Sequence, residues 1–179
     1  MNWRTFEHYV NQIENQDIKI FTIQCLEKAD PILEKIPASS TGKYHHKDNN
    51  GEGGLVRHIE RACYFANIFF EAYNWLDSKL QKDVLISVLL LHDIGKKEHY
   101  RNYQEYTNHS LTACEIIKPF KNIVKNDVVF DTINNCILHH MGPFTPSAYR
   151  KPMEQYTQLE LLTYFCDYFS ARKEINLGN

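Results

Sequence analysis

The run LLLHDIGKK at residues 89–97 sets an imidazole and a carboxylate, His92 and Asp93, directly behind an apolar stretch. Burying an unpaired carboxylate costs several kcal/mol, so a compensating charge must stand nearby. A protonated His92 could supply it as an internal ion pair. A metal ion could satisfy carboxylate and imidazole together. Other histidines stand in comparable places. His58 follows Gly53-Gly54, His109 opens a helical stretch after a polar segment, and His139-His140 close another. Neighbours on a helix differ by about 100°, so His139 and His140 face different directions. Asp167 lies inside the aromatic stretch TYFCDYF. A lone histidine near an apolar face is usually just a hydrogen-bonded residue. The ordered set says more, because ligands on facing helices of a bundle can converge on one internal site.

Helices must position these groups. Residues 17–36 read as a helix with Ile20, Ile23 and Leu26 on one face. Residues 55–74 carry apolar positions at i, i+4, i+7 and i+8 steps, an amphipathic stripe. Residues 79–94 are apolar nearly all round, which predicts a central buried helix with His92 and Asp93 in its last turn and Gly95 as its cap. Residues 96–107 read as a loop, Asn108 as the N-cap of a short helix stopped near Pro119, and 127–140 and 156–173 as two further helices. Val128-Val129-Phe130 reads as a helix turn rather than a strand. The expected fold is all-α, a single-domain bundle of six or seven helices with a metal site in its core.

Composition narrows the classes. The chain has 179 residues, 43% hydrophobic and 23% charged, with a net charge of −2, a soluble globular balance for one domain. The longest apolar run, 84–91, contains Ser87, and a membrane helix needs about 20 apolar residues. The start MNWRTFEHYV has no basic and apolar leader pattern. The mild acidity argues against nucleic-acid binding by bulk charge. The five cysteines form no CxxC pair and read as buried free thiols of a cytoplasmic protein.

The order His58, His92-Asp93, Asp167 resembles the signature of the HD-domain superfamily of metal-dependent phosphohydrolases. The resemblance covers about residues 37–172 and rests on LLHDIGK at 90–96, GGLVRH at 53–58 and CDYFSAR at 166–172. It implies an HD domain over 37–175, an N-terminal helical segment 1–36 packed on it, and a tail at 176–179. His109, His139 and His140 resemble the subgroup that binds two metals. PASSTGKYHH at 37–46 is similar to HD regions found beside an OB-fold in a bacterial exoribonuclease and in mobile-element and phage proteins.

That family implies one or two divalent ions (Mn, Fe, Co, Ni, Zn or Mg). With one ion the ligands would be His58, His92, Asp93 and Asp167. With two, Asp93 would bridge, and His109, His139 and His140 would hold the second. The implied reaction is attack of a metal-activated water on phosphorus, with Asp93 and Lys96 as the catalytic pair. Lys96, Arg61, Arg150, Lys151, Tyr44 and His46 are the candidates for holding substrate. Arg61 shares the face of His58 but could equally pair in solvent, and Arg150 and Lys151 could equally be exposed loop cations. Tyr100, Tyr103 and Tyr106 could stack on a base but read rather as loop packing, and His8 and His99 as incidental. The expected substrate is a small phosphorylated molecule, a nucleotide in preference to nucleic acid. Two alternatives share the scaffold: a di-iron oxygenase and a non-catalytic nucleotide-sensing module.

Overall fold

The structure is a computed structural model and describes residues 1–39, 47–72 and 78–175. Among the described residues there are eight α-helices and no β-strand. They are α1 (Glu7–Val10), α2 (Gln16–Lys28), α3 (Gly54–Ala72), α4 (Lys79–Leu91), α5 (Tyr103–Thr107), α6 (His109–Ile117), α7 (Asp127–His139) and α8 (Gln158–Ala171). The expected all-α bundle is therefore observed. The count exceeds six or seven because α1 and α5 are single turns of four and five residues.

Side-chain caps explain most of the starts. Asn15, Ser78, Asn102 and Asn126 each accept a hydrogen bond from a first-turn amide of α2, α4, α5 and α7. Thr157 and Glu160 form a reciprocal capping box on α8. Asn108 does not cap α6. It is helical and makes no side-chain cap bond, because Asn102 has already started α5 ahead of it.

The ends also correct the sequence reading. The first long helix stops at Lys28 instead of running to 36, because Asp30 precedes Pro31 and takes an extended ψ of 129°. A 3-10 turn, Pro31–Glu34, follows. Pro119 likewise converts the chain after α6 into the 3-10 segment Lys118–Ile123. The helix expected to reach residue 94 ends at Leu91, so His92 is its C-cap and Asp93 lies in the turn beyond. Gly95 is no left-handed cap, since the positive φ values among the described residues are at Gly53 and Gly142. Gly95 is there for space: a Cβ would collide with the His109 carbonyl and the Ala113 amide.

α4 is the central element. Every residue from Asp83 to Leu91 is buried, and α2, α3, α7 and α8 surround it. The core is one continuous cluster running from Met1 and Phe6 through α4 to Cys166. The Asp83 carboxylate accepts from the amides of Glu14 at 3.1 Å and Asn15 at 2.7 Å, tying the N-terminal segment to the start of α4. All five cysteines are free, four of them buried, and burial pushes the Cys114 and Cys136 thiols up to about 12. No helix among the described residues is long and apolar enough to cross a membrane.

Candidate metal centre

Helix ends aim the histidines. The last carbonyls of a helix lack an amide partner. His92, at the end of α4, donates Nδ1–H to the Leu89 carbonyl at 2.7 Å, and His140, at the end of α7, does the same to Ile137 at 2.6 Å. His109, just past α5, donates to the Tyr106 carbonyl at 2.6 Å. A carbonyl can only accept, so Nδ1 carries the proton in all three and Nε2 points inward. His58, on α3, meets Ser170 Oγ at 2.9 Å through Nδ1. The Ser170 hydroxyl donates its one proton to the Asp167 carbonyl at 2.7 Å, so it accepts from His58. One helix-end device thus fixes three rings, and a serine fixes the fourth.

The four Nε2 atoms surround Asp93. Oδ2 of Asp93 lies 3.4 Å from His58 Nε2 and 3.3 Å from His92 Nε2. Oδ1 lies 3.1 Å from His109 Nε2 and 3.6 Å from His140 Nε2. Each oxygen of one carboxylate therefore faces its own pair of imidazoles. Asp167 Oδ1 joins the first pair, 2.9 Å from His58 and 3.6 Å from His92. Within the pairs, Nε2 atoms approach to 3.4 Å (His58, His92) and 3.0 Å (His109, His140). Two ligand groups, His58-His92-Asp93 and Asp93-His109-His140, are close enough to hold an ion each. Neutral imidazole and carboxylate suit a divalent metal of the first transition row or Mg, and this donor set fits one. A thiolate zinc site is not what is built here.

The charges polarise the group without any ion. Burial opposes charge on His92, but Asp93 and Asp167 outweigh it and raise its pKa to about 10. Burial and the neighbouring His92 and His109 lower His140 to about 3. Burial would raise the Asp93 carboxyl, yet Lys96 and His92 hold it well below the usual carboxylate range, and His58 and His92 do the same for Asp167. Lys96 is buried, its ammonium 2.7 Å from Asp93 Oδ2 and 3.0 Å from the Ala38 carbonyl.

A cavity of about 980 Å3 opens onto this group, and His58, Asp93, Lys96, His109, His140 and Asp167 line it. The family model for the HD domain matches residues 55–172. The chain belongs to the HD-domain family. Members of this family are in general metal-dependent hydrolases, and the matched span carries all six of the residues that converge here. No curated protein and no solved structure matches the chain.

Several expected site residues lie elsewhere. His139 is turned away from the cluster. Its Nδ1 is 2.9 Å from both Glu160 Oε1 and the Asn135 carbonyl, and its Nε2 is 3.1 Å from the Tyr149 carbonyl. Lys151 is held by both Glu160 oxygens, at 2.7 and 2.9 Å, instead of facing substrate. Arg150 donates to the Thr145 carbonyl at 3.0 Å and Arg61 to the Ile175 carbonyl at 2.8 Å, and neither lines the cavity. Tyr44 and His46 fall outside the described residues. Conversely, Tyr100, Tyr103, Tyr106 and His99 do line the cavity, together with Phe144, Tyr164, Tyr168 and Arg172. Tyr164 and Tyr168 were legible, since their spacing puts them on the helix face of Asp167. Phe144 was missed, and so was Ser170. It is a small buried residue three positions after Asp167, and nothing in its type announces a role.

Proposed function

We propose that this protein hydrolyses a phosphate ester or phosphodiester of a nucleotide, by attack of a metal-activated water. The observation that carries the reading is Asp93, whose two oxygens each face a separate histidine pair with Nε2 turned inward. His58, His92, Asp93 and Asp167 would hold one divalent ion. Asp93, His109 and His140 would hold a second, with Asp93 as the bridge. Bound divalent ions supply a water acidified toward neutral pH and positive charge at the phosphoryl oxygens.

The chain's own groups do the rest. The Nδ1–H bonds hold each ring rigid, so little reorganisation accompanies reaction. Lys96 spends two of its three N–H bonds on Asp93 and the Ala38 carbonyl and lines the cavity. Its third N–H is left for a phosphoryl oxygen. Asp167, with its side chain 22% exposed, is the partly open carboxylate of the group and would complete the ligands of the first ion from the cavity side. Metal content of the purified protein and product release from a phosphate-ester panel test the reading. His92→Ala and Asp93→Ala should each abolish the activity. Full activity in either variant, or a metal-loaded protein inert on the whole panel, would sink it.

A further inference from the structure

The cavity is wider than the metal cluster needs. At about 980 Å3 it stands at the top of the range of about 300–1,000 Å3 for small-molecule sites. Two separate aromatic clusters line it. The first is Tyr100, Tyr103 and Tyr106, on the segment that leads into His109, with Tyr100 and Tyr106 centroids 5.2 Å apart and Tyr103 and Tyr106 6.3 Å apart. The second is Phe144 with Tyr164 and Tyr168, the last two 5.9 Å apart on α8 beside Asp167. Each cluster leaves large rings in the open: Tyr103 is 66% exposed in the first, and Phe144 59% and Tyr168 39% in the second. Large aromatic side chains left uncovered at a cavity are well placed to stack on planar rings.

The cations of the cavity point the same way. Lys96 has one N–H left beside those facing Asp93 and the Ala38 carbonyl, enough for a single phosphoryl oxygen. Arg172 lies over Tyr168 at 4.9 Å and pairs with the exposed Glu174 at 3.3 Å. A contact of that exposed kind is weak, so a phosphate could replace Glu174. Besides Lys96, Arg172 is the one Lys or Arg among the described lining residues, few cations for the several anionic groups of a triphosphate.

Resting on the proposed hydrolase reading, we infer that the two aromatic clusters are stacking subsites for rings on either side of the scissile phosphorus. The preferred substrate is then a phosphodiester joining two nucleosides, with one negative charge at the reacting centre, ahead of nucleoside mono- or triphosphates. The water oxygen bonds to phosphorus, the ester P–O bond to one nucleoside breaks, and the leaving oxygen takes up a proton from water. The products are one nucleoside and one nucleoside monophosphate.

The test uses the Mn-loaded protein with three cleavable probes, ApA, AMP and ATP, and with the uncleavable phosphinate analogue of ApA, in which CH2 replaces both bridging oxygens and whose binding is read by calorimetry. ApA should have the highest kcat/KM. Tyr103→Ala and Phe144→Ala should each weaken analogue binding by about five- to 150-fold, the range for loss of one base stack. Val128→Ala, an exposed change away from the cavity, should leave it as it is. AMP or ATP turned over as well as ApA, or wild-type analogue affinity in both aromatic variants, would overturn the inference. Analogue binding that is lost in those variants without turnover of any probe would overturn the hydrolase reading while supporting the two subsites.

Discussion

Metal uptake should eject a proton from His92. In the metal-free protein His92 Nε2 stands 3.3 Å from Asp93 Oδ2 and 3.6 Å from Asp167 Oδ1, and these two carboxylates keep the ring charged up to about pH 10 despite its burial. Nδ1–H is committed to the Leu89 carbonyl, so the second proton sits on Nε2, the same atom that would bind the ion. Ion and proton exclude one another, so below about pH 10 each unit of acidification weakens the ion tenfold, or about 1.4 kcal/mol. At pH 7 the penalty is roughly a thousandfold, about 4 kcal/mol, relative to the alkaline plateau. His140, held neutral down to about 3, adds no proton of its own. Calorimetric titration with Mn between about pH 6.5 and 9, in buffers of different ionisation enthalpy, reads the protons released directly. About one proton should leave with the ion held by His58, His92, Asp93 and Asp167. Affinity independent of pH, with no proton release at neutral pH, would refute the claim that the two carboxylates hold His92 charged.

Three further outcomes follow from the same geometry. Ser170→Ala removes the acceptor of His58 Nδ1–H and should weaken metal binding by about 10- to 100-fold while leaving the circular dichroism spectrum native, as metal titration will show. His139→Ala should leave the number of bound ions unchanged, because His139 faces Glu160, yet lower stability by about 1–3 kcal/mol in denaturant unfolding. For the chelated protein the pH profile of stability should peak near pH 6.5. Above that, the stabilisation from the raised pKa of His92 is lost as pH rises from its unfolded value of 6.5 through about 10. Below it, unfolded His140 takes up a proton that the folded ring refuses until about pH 3, and stability falls again. Thermal melts across this range in EDTA check the position of the maximum.

The fold was legible because its helices are long, periodic and capped, and α4 declares its burial by being apolar on every side. What escaped was local. The short helix α5 lay inside a polar stretch, and its start at Asn102 took over the capping role that Asn108 seemed to offer. Sequence placed His139 and His140 together but could not say which ring turned inward. That choice depends on the helix ending at His139, which leaves His140 free to reach back to the Ile137 carbonyl, and on Glu160 drawing His139 the other way. Glu160 was readable as a capping-box residue, but its long-range pairing with Lys151 and His139 depends on how α7 and α8 pack. Arg61 shares a helix with His58 but is claimed by the Ile175 carbonyl, a partner 114 residues away. Gly95 looked like a stop signal and is instead the gap through which α6 approaches the turn holding Asp93.

α4 and α7, each of 13 residues, both end at this cluster, with His92 and His140 as their C-caps. The C-terminus of a helix carries roughly half a negative charge, so two such poles, along with Asp93 and Asp167, surround the same small volume. Before an ion arrives, Lys96 and the charged His92 offset those negative groups. Loss of the His92 proton therefore does two things at once: it bares the nitrogen and restores the negative field that holds a cation. The two helix poles make the site attractive to a divalent ion only at the moment the ring can bind it.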